Sequence, residues 1–84
     1  MKYQVVLPKK VKKQLKKIDS RYQSKIKYAL VKLADNPLFG KPLDGELKGQ
    51  RSFYVWPYRI VYEVRKKELI ILVLAIKHRQ GVYR

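Results

Sequence analysis

Apolar residues recur at helical spacing in the first half of the chain and at strand spacing in the second. Between Lys2 and Leu7, Tyr3, Val5 and Leu7 hold alternate positions, which predicts a short strand. Pro8 suits the end of that strand or the opening of a helix. From Lys9 to Ile18 the apolar residues are Val11, Leu15 and Ile18, an i, i+4, i+7 stripe along one side of a helix. The break at Asp19-Ser20 lets Ser20 cap a second helix, which runs to about Asp35 with Tyr22, Ile26, Ala29, Leu30 and Leu33 on one stripe. So short a break predicts an antiparallel helical hairpin.

Asn36-Pro37 ends the second helix, and Gly40, Pro42, Asp44-Gly45 and Gly49 mark a loop with turns. Strands are expected at Arg51 to Trp56, Tyr58 to Arg65 and Leu69 to Ile76, separated by turns at Pro57 and Lys66-Lys67. In the second of these, Tyr58, Ile60, Tyr62 and Val64 alternate with Arg59, Val61, Glu63 and Arg65. The uninterrupted apolar run from Leu69 is the pattern of a central strand covered on both faces. The predicted fold is α+β, in the order β-α-α-β-β-β. A two-helix hairpin packs on one face of a mostly antiparallel four-stranded sheet, and the other face carries Arg59 and its neighbours. Tyr58 and Tyr62 are assigned to the core. Tyr54 and Trp56 can stack bases or close the core edge, and Trp56 is expected in the core.

The 84 residues suffice for one domain, residues 1–84, with a thin core. With no cysteine and one histidine, disulfides, thiolate chemistry and a structural zinc site are not expected. The N-terminal MKYQVVLPKK lacks the apolar stretch of a signal peptide, and the longest apolar run is too short to cross a bilayer. A cytoplasmic protein with no membrane partner is therefore expected.

Charge changes the picture most. Lys plus Arg is 21 and Asp plus Glu is 6, so the formal net charge is 21 − 6 = +15. Solubility does not require so much, and self-repulsion opposes the compact state, which points to a polyanionic partner. There is no Ser-His-Asp signature, glycine-rich phosphate loop or obvious carboxylate pair. What remains after residue 47 is an array of Arg, Lys, Tyr and one His. Such an array can serve RNA cleavage by the neighbouring 2′-hydroxyl, which needs a proton acceptor, cations on the phosphate oxygens and a donor to the leaving 5′-oxygen. Arginine forks match phosphate, and tyrosine rings stack on unpaired bases.

The stretch LKGQRSFYVWPYRIVYEV, residues 47–64, resembles the RelE/ParE superfamily of toxins, with its L-K/R-G segment, following strand and Y-R-hydrophobic-hydrophobic-Y motif. The ending IKHRQGVYR, residues 76–84, is similar to that family's basic ending before V-Y. The element order agrees over the whole chain. The resemblance implies the toxin of a type II toxin–antitoxin pair, a ribosome-dependent mRNA endonuclease of the RelE kind. By the same resemblance, Arg59 clamps the scissile phosphate. Arg79 contacts the phosphate or helps protonate the leaving group, Tyr83 orients the nucleotide, and His78 is a candidate for proton transfer. Without the resemblance, Arg59 reads as a solvated strand arginine or one bridged to Glu63 on the same face.

Lys48, Arg51, Lys77 and Arg84, with Lys12, Lys13 and Lys16 of the first helix, are candidate RNA-phosphate contacts. Where RelE-type enzymes carry two lysines on the strand before the Y-R motif, this chain reads RSFYVW. Lys48 and Arg51 are the nearest cations, and Glu46 is a further candidate base. The implied partners are a cognate acidic antitoxin, the ribosome and mRNA, with no small-molecule cofactor. Two other readings stay open: a ParE-like inhibitor of DNA gyrase, and a non-catalytic basic RNA-binding module.

Overall fold

The computed structural model describes residues 2–45 and 49–79. Glu46, Lys48, Tyr83 and Arg84 lie outside the described residues. The elements are β1 (Gln4–Val6), α1 (Lys9–Lys16), α2 (Ser20–Asp35), a short 3-10 turn (Pro37–Phe39), β2 (Lys41–Pro42), β3 (Gln50–Val55), β4 (Tyr58–Arg65) and β5 (Ile70–His78).

The helices form where the apolar stripes predict them. Val11 and Leu15 of α1 are buried, as are Ile26, Ala29, Leu30 and Leu33 of α2. The cap of α2 is Asp19 and not Ser20: the Asp19 carboxylate accepts the Arg21 N–H at 2.9 Å, while Ser20 is already the first helical residue. That backbone hydrogen bond, then the Arg21 side chain, hold the Asp19 carboxyl below its usual range. Between the helices the Gln23 side-chain amide donates to the Ile18 carbonyl at 2.7 Å, satisfying a backbone group of the connection.

The sheet has five strands in the order β1-β5-β4-β3-β2, one more than the sequence pattern predicts. The extra strand is β2, two residues paired antiparallel with β3 through Lys41↔Ser52 and Pro42↔Arg51. Its Gly-Lys-Pro sequence reads as a turn, and proline is tolerated there because the strand is at the sheet edge. At the other edge β1 runs parallel to β5, and the remaining pairs are antiparallel.

Both helices cover one face. The core joins Val11, Leu15 and Ile18 to the α2 stripe and to Ile60, Tyr62, Ile71, Val73 and Ile76 of the sheet. The predicted strand from Leu69 begins one residue later, because Leu69 has φ 56° and belongs to the preceding turn. Nor is β5 fully covered on both faces: Ile71, Val73 and Ile76 are buried, while Ile70, Leu72 and Leu74 are only half-buried. No helix among the described residues is long and apolar enough to cross a membrane.

A candidate nucleic-acid interface on the open sheet face

The site follows from strand register. β3 and β4 form a hairpin in which Tyr54 lies opposite Arg59, and β4 and β5 place Arg59 opposite Lys77. Tyr54, Arg59 and Lys77 therefore stand in one cross-strand row, with neighbouring Cα atoms roughly 5 Å apart. Alternation puts this row on the face opposite Phe53, Tyr58 and Ile60, which point toward the helices. The face without helices thus carries the row, and Arg79 follows two residues after Lys77. The Arg79 N–H donates to the Pro57 carbonyl at 2.8 Å, tying the end of β5 to the hairpin turn.

A β-bulge decides which β5 side chains reach this row. Val61 pairs with Ala75, but the next residue, Tyr62, pairs with Val73, so Leu74 is left over. The buried residues of β5 accordingly fall at Ile71, Val73 and Ile76 rather than at strict alternate positions. The slip directs Lys77 to the open face and His78 to the helix side, where its ring meets Tyr58 edge-on at 5.1 Å. The structure thus brings Arg59, Lys77 and Arg79 to one face and does not bring His78 to it.

Arg59 is held and unsatisfied at once. Its guanidinium lies 5.8 Å from the Tyr54 ring centroid. Its Nε is buried without a hydrogen-bond partner. The bridge to Glu63 that the sequence allows is not formed, because Glu63 pairs with Arg65 at 2.8 Å. Among the described residues no carboxylate neutralises Arg59, Lys77 or Arg79. A buried unpaired donor costs about 1–3 kcal/mol, and an anionic oxygen is the acceptor that relieves it best.

The other sequence candidates are elsewhere. Arg51 stands opposite Tyr62, on the helix side, and its guanidinium donates to the carbonyls of Gly40 and Leu38. It clasps the loop before β2 and does not join the open-face cations. Lys12, Lys13 and Lys16 are exposed on α1, in the helical layer on the opposite side of the sheet from Arg59.

Trp56 departs from the sequence expectation. It is 62% exposed, not core, with the Arg79 guanidinium 4.8 Å from its ring centroid. Tyr54 is also exposed. The signal was present in Pro57: a turn directly after Trp56 puts this side chain at the hairpin tip, beyond the reach of the helices.

Comparison with known proteins agrees with this architecture. Residues 5–83 match the family model for the ParE toxin of the type II toxin–antitoxin system parDE. Toxin RelG of Mycobacterium tuberculosis is 30% identical over 86 residues, covering 100% of this chain and 99% of that protein. The toxin–antitoxin complex RelBE2 of M. tuberculosis contains a chain that superposes with a TM-score of 0.86 at 28% identity, covering 94% of this chain and 100% of that one. A free mutant of the E. coli toxin RelE shares the fold, with a TM-score of 0.83 at 20% identity over 99% of this chain and 90% of that one.

Proposed function

The chain belongs to the RelE/ParE superfamily of toxins of type II toxin–antitoxin systems, and from that membership we propose that it is a ribosome-dependent mRNA endonuclease that stops translation. The observation that carries this reading is Arg59, whose buried Nε lacks an acceptor beside Lys77 and Arg79, with no carboxylate paired to any of the three among the described residues. Those cations suit the non-bridging oxygens of a scissile phosphate. In the reaction the 2′-oxygen bonds to phosphorus as the bond to the 5′-oxygen breaks. The 2′-hydroxyl loses its proton, and the leaving 5′-oxygen gains one. Arg59 and Lys77 stabilise the added charge on the phosphorane-like transition state, and Arg79, two residues beyond Lys77, serves the leaving group. Tyr83 and Arg84 are assigned to nucleotide positioning from the family's ending, and Lys12, Lys13 and Lys16 to ribosomal RNA phosphates.

We also assign the chain a cognate antitoxin, since the similar M. tuberculosis chain is found in a toxin–antitoxin complex. A net charge of +15 calls for an acidic segment with apolar anchors, because ion pairs at an interface rim contribute little once salt screens them.

A second reading, inhibition of DNA gyrase without RNA cleavage, draws on one observation. β3, the strand before the Y-R motif on which RelE-type enzymes carry two lysines, has none here. The deciding experiment maps mRNA 5′ ends on translating ribosomes after a pulse of expression. Discrete new ends within open reading frames support the endonuclease. Growth arrest without them, accompanied by loss of supercoiling activity, supports the gyrase reading.

A further inference from the structure

Two large aromatic residues stand exposed beside the cationic row, and each is paired with one of its arginines. Tyr54 is 58% exposed beneath Arg59, and Trp56 is 62% exposed beneath Arg79. Neither contributes to the core, and each gives up the apolar burial that Tyr22, Phe53, Tyr58 and Tyr62 obtain. They are two residues apart in the chain, a step of roughly 7 Å in extended backbone. That spacing gives each ring its own occupant.

We propose that Tyr54 and Trp56 form a stacking platform for unpaired RNA bases on either side of the phosphate held by Arg59 and Arg79. In the free protein each guanidinium lies against its ring, which orients the cation before RNA arrives. When phosphate takes the guanidinium, the ring is left to a base, and the planar arginine can flank the same base. The surrounding charge selects the occupant: Arg59, Lys77 and Arg79 favour a polyanion, and flat exposed rings favour one whose bases are splayed from their stack. That describes single-stranded RNA and excludes a duplex, whose bases offer no free face. The inference rests on the RNA reading above and adds the element that sorts single strands from duplex.

Trp56 is the only tryptophan in the chain, so its emission reports on this site alone. The full-length protein is titrated with a 2′-O-methyl RNA hexanucleotide, which cannot supply the attacking hydroxyl, and with the same strand in a duplex. Binding is followed in parallel by anisotropy of the labelled RNA. The expected result is saturable quenching by the single strand and none by the duplex. Trp56→Ala should weaken single-strand binding about 5- to 150-fold, equivalent to the 1–3 kcal/mol per stacked base measured by alanine substitution. Trp56→Phe should recover most of it, with circular dichroism confirming the fold of both variants.

RNA that binds without quenching, with an affinity that Trp56→Ala leaves unchanged, overturns the platform, as does an absence of RNA binding. An emission that ignores RNA but shifts to the blue on addition of gyrase overturns it in favour of a protein contact. The arginines separate this failure from failure of the nuclease reading. If Arg59→Ala plus Arg79→Ala abolishes growth inhibition while Trp56→Ala leaves RNA affinity untouched, the platform is wrong and the nuclease stands. If the double variant still inhibits growth while RNA quenches Trp56, the nuclease is wrong and the platform stands.

Discussion

The Tyr62 hydroxyl accepts the Gly40 N–H at 3.0 Å while donating to the Pro37 carbonyl at 2.6 Å. One buried phenol on β4 thereby satisfies two backbone groups of the segment that leads from α2 to the sheet edge. Tyr62→Phe should cost about 1–3 kcal/mol, because both backbone groups lose their partner inside the protein. Gly40→Ala should destabilise as well, for a reason of space: a Cβ there would meet the Tyr62 hydroxyl and come within 2.7 Å of the Ser52 carbonyl oxygen. Urea unfolding of both variants checks this, and wild-type midpoints would refute it.

The same phenol makes stability depend on alkaline pH. Burial pushes the Tyr62 hydroxyl above the ordinary tyrosine range, against the smaller opposing effects of the Gly40 hydrogen bond and Arg51. The folded state therefore holds this proton more tightly than the unfolded state does. Its contribution is fully present below the unfolded pKa and is lost as pH rises from there through the folded pKa. Unfolding midpoints should fall above about pH 10 in the wild type, and the fall should be shallower in Tyr62→Phe.

Gln14 joins the helical layer to β5 by accepting the Ile76 N–H at 3.0 Å. β1 pairs with β5 only at residues 70–72, so this amide lies beyond the strand ladder on that edge. Gln14→Leu keeps the bulk and removes the acceptor, with an expected loss of about 1–3 kcal/mol. Faster hydrogen exchange at the Ile76 amide, with little change at Ile71, is the local signature to measure.

If Arg59 and Arg79 stabilise the transition state, each Ala substitution should raise the barrier by about 2–4 kcal/mol, roughly 30- to 1000-fold in rate. Stability should change little at Arg79, which is exposed. It should hold or rise at Arg59, where the unpaired buried Nε is removed with the side chain. Growth inhibition and thermal unfolding of the same variants separate the two effects.

Attack by the 2′-hydroxyl leaves a 2′,3′-cyclic phosphate on one fragment and a 5′-hydroxyl on the other. Fragments from the expression pulse should resist 5′-phosphate-dependent ligation until treated with a polynucleotide kinase. Ends that ligate directly would contradict this mechanism.

Sequence alone determined the helices, the two long hairpin strands and the family's Y-R motif, because each leaves a local mark. Val11, Leu15 and Ile18 recur at helical spacing, β4 alternates, and Arg59 sits inside a short contiguous pattern. The tip position of Trp56 was equally local, written in the proline that follows it. The composition of the open face was not. In Ile-Ile-Leu-Val-Leu-Ala-Ile every position is apolar, so no periodicity says where β5 changes faces. Pairing with β4 decides it by leaving Leu74 over, which turns Lys77 toward Arg59 and His78 toward Tyr58. Nor does a basic residue carry its employment in its identity: Arg51 is taken by carbonyls of Gly40 and Leu38, while Arg59 keeps a buried donor without an acceptor. Those assignments depend on backbone groups 11 and 13 residues away in the chain. Only the folded sheet brings such groups within hydrogen-bonding distance, so tertiary structure alone decides which cations are left for an anion.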